Sequence, residues 1–383
     1  MIQRYIIFLV FLSNFIFSQE NRYLDEIFDN VVKTEDVVYG NAPDLPFIFL
    51  FEWNTNDVDL DMDIYEPEGD TEINRPVVVF FHSGAFFSGN NELDDVVALS
   101  ISAAKRGYVA VNVNYRLGLN VISTYSGQRA VWRGVQDGSA VIRYLREYHQ
   151  ELRINPDKIF LWGSSAGGFI SLHLAYCDDN ERPESTYGGG SDPDLGCLDC
   201  TGNNFQHSSK PNAIVSCWGA IGDLDYIQPE DNIPAIMFHG TSDLVVPYDY
   251  GLPFTINIAL PAVYGSAAIH DQLNLYNIDN ELYLEEGEPH EYWGTLNGNW
   301  FGGPNEFYSQ ISNDAFNFLY SQLDNSILGD VNNDSALDIL DIVIIINMVL
   351  NNEYQIIADV NEDGLLNILD VVLIVSILVD ETH

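Results

Sequence analysis

The chain has 383 residues, 46% of them hydrophobic, which is enough for one large domain with a sizeable core and one small domain. It carries 57 Asp and Glu against 15 Lys and Arg, and none of the basic residues follows Lys210. A formal net charge of −42 repels nucleic acid and anionic membrane surfaces, so the composition excludes both as partners.

The N-terminus predicts export. Arg4 precedes a short apolar run, Tyr5–Phe17, and a polar exit follows at Ser18–Gln19. A basic start, an apolar stretch too short to span a bilayer comfortably and a polar end are typical of a secretory signal peptide. Residues 1–19 are therefore predicted to be a signal peptide, and the protein to be secreted or associated with the cell surface.

Between residues 20 and 325, short β-branched or aromatic runs alternate with longer helical patterns. This alternation predicts an α/β catalytic domain with a mostly parallel sheet and helices on both faces. The stretch Cys177–Lys210 is rich in Gly, Ser, Asp and Asn and is predicted to be a long loop. The predicted strands are Pro76–His82, Val109–Tyr115, Ile159–Gly163, Ala213–Gly219, Ala235–Gly240 and Glu281–Leu284; the predicted helices are Asp94–Arg106, Arg129–Leu152, Ala166–Tyr176 and Glu306–Leu323.

The four cysteines, Cys177, Cys197, Cys200 and Cys217, lie within one short region. In an exported protein an even number of cysteines predicts one or two disulfides, whose pairing the sequence leaves open. The close pair Cys197 and Cys200 also allows a metal or redox site. No second close pair or histidine spacing completes a zinc set, which favours the disulfide.

The segment Gly163-Ser164-Ser165-Ala166-Gly167 matches the pattern G-x-S-x-G between a predicted strand and a predicted helix. Glycines on either side of the serine allow the tight turn that lifts its hydroxyl above the sheet edge. Ser165 is therefore predicted to be a nucleophile.

A serine hydroxyl needs a base to take its proton and a carboxylate to orient that base. Asp243 follows the predicted strand Ala235–Gly240, at the edge where ligand-binding loops gather. His290 lies in an irregular loop beyond the next predicted strand. Asp243 and His290 are the predicted acid and base; the alternatives are Asp223 or Asp225 for the acid and His270 or His383 for the base, whereas His239 is predicted to be structural.

The oxyanion of an acyl-transfer intermediate also needs hydrogen-bond donors. The segment His82-Ser83-Gly84-Ala85-Phe86 follows a predicted strand and is similar to the H-G-G-[GA] motif of esterases, with Ser83 in place of the first glycine. The backbone amides of Gly84, Ala85 and Ala166 are the predicted oxyanion donors. Five aromatic residues flank these motifs and are candidates for a substrate pocket: Trp162, Phe86, Phe87, Tyr292 and Trp293.

The region from about Asp57 to Leu323 resembles the α/β-hydrolase superfamily, in particular carboxylesterases, hormone-sensitive-lipase-like esterases and bacterial feruloyl-esterase-like enzymes. The resemblance implies that Arg116 forms a structural ion pair rather than acting in catalysis. The motifs that carry it are His82–Phe86, Asn114–Gly118, Asn155–Ile159, Gly163–Gly167, His239–Asp243 and Glu288–His290.

After residue 325 two similar units follow each other at an offset of 29 residues, and residues 326–383 are predicted to form a second domain. In each unit, acidic and amide side chains stand at positions 1, 3, 5, 9 and 12 of a loop, a spacing that lets oxygen atoms surround Ca²⁺. Gly364 occupies position 6 of the second loop, and Ser335 that of the first. The predicted ligands are Asp330, Asn332, Asp334, Asp338 and Asp341, and then Asp359, Asn361, Asp363, Asn367 and Asp370.

This duplication resembles a type I dockerin, a small all-α module that docks onto a cohesin. The residues before the last ligand of each loop, Ile339–Leu340 and Ile368–Leu369, are more apolar than in many dockerins. The resemblance implies a cohesin-like partner. Because of this apolar departure, docking onto the chain's own catalytic domain and attachment to a surface remain as alternatives.

Taken together, the motifs predict a secreted serine esterase that hydrolyses carboxylic esters, with no cofactor for catalysis and Ca²⁺ in the docking module. Its substrate is predicted to be a small or polysaccharide-linked ester. The alternatives are a lipase or polyesterase, a serine peptidase on the same fold, and an inactive domain used for adhesion.

Overall fold

The computed structural model describes residues 21–45, 52–120, 123, 125–254, 260–323, 328–332, 337–351, 353–361 and 363–380. The predicted signal peptide lies outside these residues. Contacts within the chain divide it into two units, one ending at Asn317 and the other beginning at Phe318. The predicted domain boundary after residue 325 remains a prediction. Among the described helices, none is long and apolar enough to cross a membrane.

The described strands are β1 Val31–Asp44, β2 Asn56–Pro67, β3 Arg75–Phe81, β4 Val109–Val113, β5 Ile154–Ser164, β6 Ala213–Cys217, β7 Ala220–Ile221, β8 Ala235–Gly240, β9 Tyr250–Gly251, β10 Val263–Gly265, β11 Asn280–Glu285, β12 Thr295–Leu296 and β13 Asn299–Trp300. The first unit is built on an eight-stranded sheet in the order β1-β2-β4-β3-β5-β6-β8-β11. Strands β1, β2 and β4 pair antiparallel, and the remaining neighbours pair parallel. The helices are α1 Asp94–Lys105, α2 Ser126–Glu147, α3 Ala166–Tyr176, α4 Ser266–Leu275, α5 Glu306–Ser321, α6 Ile339–Asn351 and α7 Ile368–Asp380.

The central strands are buried along their whole length, as expected for parallel strands covered on both faces. Side chains of a strand alternate between the two faces. In β3, Val77, Val79 and Phe81 belong to the apolar core that also includes residues of α2 and α3. The ring of Phe80 instead packs against Trp162, which contacts Phe316 of α5. Helices therefore cover both faces, and the predicted fold class is confirmed.

All six predicted strands and all four predicted helices are present, with ends shifted by a few residues. The prediction missed the hairpin β1–β2 and the helix α4. In β2, the apolar residues Val58, Leu60, Met62 and Ile64 alternate with aspartates, which is the pattern of a strand with one buried face.

The long loop 177–210 is held against helix α2 by arginine side chains. Arg129 donates to the backbone carbonyls of Ser185 and Pro193, and Arg143 donates to that of Thr201. Within the loop, Cys197 and Cys200 form a disulfide, so their sulfur atoms are not free to bind a metal.

The other two cysteines, Cys177 and Cys217, are buried free thiols. Burial raises the pKa of the Cys177 thiol to about 12, so this group stays neutral near pH 7. One disulfide is therefore present among the described residues.

The second unit contains the helices α6 and α7, which share a small apolar core. Ile345 and Met348 of α6 and Val371 and Ile374 of α7 are buried there. The 29-residue repeat of the sequence thus corresponds to a repeated loop and helix.

Candidate active site and candidate calcium loops

Ser165 lies in a sharp turn between β5 and α3, with backbone angles φ 53° and ψ −112°. A positive φ is uncommon for a residue with a side chain, so the surroundings must hold this strained turn. The Ser165 amide donates to the carbonyl of Cys217 at 2.9 Å. A Cβ atom on Gly163 would lie 2.0 Å from the carbonyl oxygen of Gly167, which explains the flanking glycines.

The structure brings Ser165, His290 and Asp243 together. His290 Nε2 lies 2.9 Å from the Ser165 hydroxyl oxygen, and His290 Nδ1 lies 2.6 Å from Oδ2 of Asp243. Asp243 follows β8 and His290 follows β11, and these two strands are parallel neighbours. Parallel strands place their carboxyl ends at one edge, so the three side chains meet above that edge.

The Asp243 carboxylate is held in a fixed orientation. Its Oδ1 accepts hydrogen bonds from the amides of Val245 at 2.7 Å and Val246 at 2.9 Å. Burial alone would raise the pKa of the Asp243 carboxyl, but hydrogen bonds from His239 and His290 outweigh it and hold the pKa well below its usual range. Asp243 is therefore ionised at neutral pH and can orient the His290 ring.

The alternative acids and bases lie elsewhere. Asp223 accepts from the amide of Asp225 in a short turn, and His270 is hydrogen-bonded to Asn274 and Asn280. Neither Asp223 nor His270 contacts Ser165. His383 lies outside the described residues.

The loop after β3 has an unusual backbone. Gly84, Ala85 and Phe86 all have a positive φ, and a Cβ atom on Gly84 would lie 1.8 Å from the carbonyl oxygen of Ser88. The carbonyl of His82 accepts a hydrogen bond from the Tyr115 hydroxyl at 2.7 Å, which fixes the start of the loop. Burial lowers the pKa of His82 to about 4, so its ring is neutral near pH 7.

An apolar pocket opens beside the serine. Ala85, Ser165 and Ala166 all line it, so the structure brings two of the three predicted oxyanion donors to the nucleophile; Gly84 is adjacent in the chain but not part of the lining. The few polar groups in the wall come from Gln128, His173 and Tyr226. Apolar lining residues include Phe86, Leu119, Val131, Phe169, Val246 and Val263.

The two acidic loops of the second unit have matching backbone contacts. The Asp341 carboxylate accepts from the amides of Val331 at 3.0 Å and Asp338 at 2.9 Å. The Asp370 carboxylate accepts from those of Asn361 at 3.2 Å and Asn367 at 2.8 Å. Residues 12 of both loops thus bridge the start and the end of the loop.

The first and last acids of each loop, Asp330, Asp341, Asp359 and Asp370, are all buried. Since no Lys or Arg follows Lys210, no basic side chain of this unit can neutralise them, and an oxygen-preferring cation can. Among the described residues no cluster of three His, Cys, Asp or Glu side chains converges. The predicted sets also use Asn side chains, backbone oxygens and Asp334, which lies outside the described residues.

Residues of both units match models of known protein families. Residues 62–228 match the BD-FAE family model, and residues 328–378 match the Dockerin type I domain. The chain is similar in structure to Thermogutta terrifontis esterase 2 phosphorylated by paraoxon, with a TM-score of 0.52 and 22% identity over 76% of this chain and 94% of that one. The first unit has the α/β-hydrolase fold.

A truncated carbohydrate esterase from gut microbiota has a TM-score of 0.50 and 17% identity, over 78% of this chain and 98% of that one. In sequence, carboxylesterase NlhH of Mycobacterium tuberculosis is 33% identical over 102 residues, 27% of this chain and 29% of the relative. Acylcarnitine hydrolase of Mus musculus is 34% identical over 117 residues, 30% of this chain and 20% of the relative. The match thus spans less than a third of the length of these curated relatives.

Within the α/β-hydrolase domain, Arg116 forms an ion pair with Asp137 at 2.7 Å, and both side chains are buried. The resemblance implied such a structural role for Arg116. Of the five aromatic pocket candidates, Phe86 lines the pocket, whereas Trp162, Tyr292 and Trp293 are buried in the protein interior and Phe87 is exposed.

Two further residues lie near the triad: Trp218, which the sequence analysis did not identify, and His239, which it predicts to be structural. The Trp218 ring lies 6.2 Å from that of His290 and its Nε1 donates to Ser164 Oγ at 2.9 Å. His239 lies against Asp243. Trp218 directly follows β6, and a residue just beyond a parallel strand is the sequence signal that points to this edge.

Proposed function

We propose that the α/β-hydrolase domain is a serine esterase that cleaves carboxylic esters through an acyl-enzyme. The observation that carries this proposal is the continuous chain of hydrogen-bond contacts from Ser165 through His290 to Asp243, at 2.9 Å and 2.6 Å, beside an apolar pocket. This arrangement of nucleophile, base and orienting acid is the one that acyl transfer requires.

In the proposed mechanism, His290 Nε2 takes the hydroxyl proton of Ser165 as its oxygen attacks the ester carbonyl. The amides of Ala85 and Ala166, and that of Gly84, stabilise the oxyanion. His290 then donates the proton to the leaving alcohol. A water molecule then attacks the acyl-enzyme as His290 takes its proton, and His290 returns this proton to the Ser165 oxygen as the acid is released.

The pocket supports a substrate with a short acyl or aromatic group, because its wall is apolar except for a few side chains. We propose that such groups are carried on a small molecule or a polysaccharide. The structural likeness to a carbohydrate esterase favours the second carrier, and the wall residues Gln128 and Tyr226 supply hydrogen-bonding groups for a substituted ring.

We further propose that Ca²⁺ binds both loops of the dockerin domain and that this domain attaches the secreted enzyme to a cohesin-like protein. Equivalent positions of α6 and α7 expose the same kind of side chain: Ile339 and Ile368, Leu340 and Leu369. Paired exposed apolar side chains mark a protein-binding surface. Export agrees with the predicted signal peptide at residues 1–19.

The esterase proposal is tested with p-nitrophenyl acetate, butyrate and decanoate, methyl ferulate, acetylated xylan and a peptide p-nitroanilide. Wild type is expected to cleave one or more of the esters, and Ser165→Ala to lower kcat/KM by at least about 1,000-fold. The control is Ser309→Ala, an exposed serine of α5, which should behave as wild type.

The same panel separates the alternatives. Preference for decanoate indicates a lipase-like or polyesterase activity, and cleavage of the anilide without the esters indicates a peptidase. A folded wild type that turns over none of these substrates contradicts the proposal and favours an adhesion role.

A further inference from the structure

His239 is the last but one residue of β8, and its side chain is fully buried. Its Nε2 atom lies 3.2 Å from Oδ2 of Asp243 and 3.1 Å from the backbone carbonyl oxygen of Val246. Its Nδ1 atom lies 2.8 Å from the hydroxyl oxygen of Ser266, the first residue of α4. The imidazole thus joins a strand, the loop that carries Asp243 and a helix.

These contacts determine where the ring carries its proton. Both neighbours of Nε2 are acceptors, a carboxylate and a carbonyl, so Nε2 must carry a hydrogen. The Ser266 hydroxyl can donate to Nδ1, and then both nitrogen atoms of the buried ring have a hydrogen-bond partner. The ring is therefore oriented from its far side, and its Nε2–H lies between the carbonyl of Val246, which accepts it, and Oδ2 of Asp243 at 3.2 Å.

Oδ2 of Asp243 consequently has two imidazole neighbours, His290 Nδ1 at 2.6 Å and His239 Nε2 at 3.2 Å. The other oxygen is held by the amides of Val245 and Val246. Without His239, Oδ2 would keep His290 Nδ1 as its one imidazole neighbour, and the charge of this oxygen would act on the His290 ring alone.

We propose that His239 is a positioning residue for the triad: it holds Oδ2 of Asp243 in line with His290 and draws part of the carboxylate charge away from the His290 ring. This inference rests on the proposed esterase function. It gives His239, which the sequence reasoning treated as structural only, a part in setting the strength of the catalytic base.

Two matched variants test the proposal. In His239→Gln, the amide nitrogen can take the place of Nε2 and still donate to Asp243. In His239→Asn, the shorter amide reaches only the position of Nδ1, so the contact with Asp243 is lost while the bond to Ser266 is kept. Both variants replace the buried ring with an amide, but Asn is one methylene shorter and leaves a larger gap. The position of the acid limb of the pH dependence therefore decides between the two causes, because a loss of packing alone does not move it.

We expect His239→Asn to lower kcat about tenfold with KM little changed, as for the loss of one hydrogen bond to a charged group. The acid limb of the pH dependence of kcat/KM should move to higher pH, because the full carboxylate charge then favours protonated His290. His239→Gln should retain most of the wild-type rate and the wild-type limb. Equal losses in both variants with an unmoved limb would overturn the proposal.

A second measurement covers the case in which a variant does not fold. Nitrogen-15 NMR of histidine-labelled wild type should show His239 protonated at Nε2 and not at Nδ1 near pH 7; the opposite tautomer overturns the proposal. The rate at which a fluorophosphonate probe labels Ser165 provides a substrate-independent readout. Absent labelling and turnover in wild type count against the esterase, whereas an active wild type with unaffected His239 variants counts against the positioning role alone.

Discussion

The Ser165 hydroxyl oxygen lies 2.9 Å from Nε2 of His290, although 125 positions of sequence separate the two residues. Ser165 lies in the turn after β5 and His290 in the loop after β11. Both strands belong to the same sheet, and their carboxyl ends lie at the same edge of it. The distance therefore depends on how closely the loop that carries His290 packs against the neighbouring strand β8.

Gly240, at the end of β8, controls that packing. A Cβ atom on Gly240 would lie 2.2 Å from the carbonyl oxygen of Glu288 and 2.7 Å from that of Pro289, directly before His290. We expect Gly240→Ala to push this segment away and lower kcat about 100-fold, since a displacement of about 1 Å at a catalytic group has that effect. Stability should fall by about 1–3 kcal/mol.

Steady-state kinetics and urea unfolding followed by fluorescence check this prediction. The matched control is Gly189→Ala, because no atom lies within 4 Å of a Cβ at Gly189 and its φ is not positive. That variant should stay within about 0.5 kcal/mol of wild type and keep full activity. A fully active Gly240→Ala would show that the His290 loop is not set by this contact.

The sequence alone predicts the triad because each member directly follows a recognisable strand. Ser165 lies in a complete G-x-S-x-G turn, and the acid and base follow in the order expected for the resemblance. The hydrogen-bond partners of each triad member cannot be predicted from these motifs. The second imidazole on Asp243 depends on the hydroxyl of Ser266, in a helix that the prediction missed.

Pocket residues were the least predictable part of the site. Trp162 and Trp293 flank the motifs in sequence, yet both side chains are buried in the interior. Trp162 lies in β5, where side chains alternate between the two faces of the sheet. Most of the wall comes from segments without any motif, such as Val245–Val246 and Leu260–Val263. Their apolar character is equally typical of core residues, so the sequence does not distinguish the two roles.

A buried carboxyl pair beside the active site makes stability depend on pH. Asp95 is fully buried, its Oδ2 has no hydrogen-bond partner among the described residues, and Glu291 lies near enough to repel it. Burial, followed by the charge of Glu291, raises the pKa of the Asp95 carboxyl well above its usual range. The folded protein thus keeps a proton that the unfolded chain releases above about pH 4.

Because the folded state binds the extra proton, this carboxyl costs stability as the pH rises above about 4. We expect Asp95→Asn to be more stable than wild type by about 1–3 kcal/mol at pH 7.5, with the gain shrinking towards pH 4. Urea unfolding at several pH values, followed by tryptophan fluorescence, measures this. All six tryptophans precede residue 318, so the signal reports the first unit alone.

The control for this prediction is Asp271→Asn, which neutralises an exposed carboxylate of α4 and should show no pH-dependent gain. An Asp95→Asn variant that is destabilised equally at all pH values would mean that the Asp95 carboxylate is ionised in the folded protein and that its charge is stabilised by its surroundings.

The dockerin loops predict two calcium sites of unequal strength. In the second loop, Gly364 adopts φ 80° and its amide donates to the Asp359 carboxylate at 2.8 Å, which a flexible glycine allows. Ser335 stands at the corresponding position of the first loop. A serine adopts such a φ at a cost, so we expect the first loop to bind Ca²⁺ more weakly.

Isothermal titration calorimetry of the full chain with CaCl₂ should therefore resolve two binding events per molecule. Asp370→Asn should remove the tighter event and Asp341→Asn the weaker one, because each change takes one negative charge from a buried position 12. Asparagine keeps one oxygen for the amide at one end of the loop and turns an NH2 group towards the amide at the other end. Circular dichroism of each variant with Ca²⁺ therefore checks that its helices still form. Glu353→Gln, an exposed acid outside both ligand sets, is the matched control and should leave both events intact.

Removal of Ca²⁺ with EDTA should leave the buried carboxylates of both loops mutually repelling and expose the second unit to proteases. Limited proteolysis should then cleave after residue 318 while the α/β-hydrolase domain and its tryptophan fluorescence persist. Resistance to cleavage that is identical with and without Ca²⁺, together with no heat of binding, would exclude calcium from these loops.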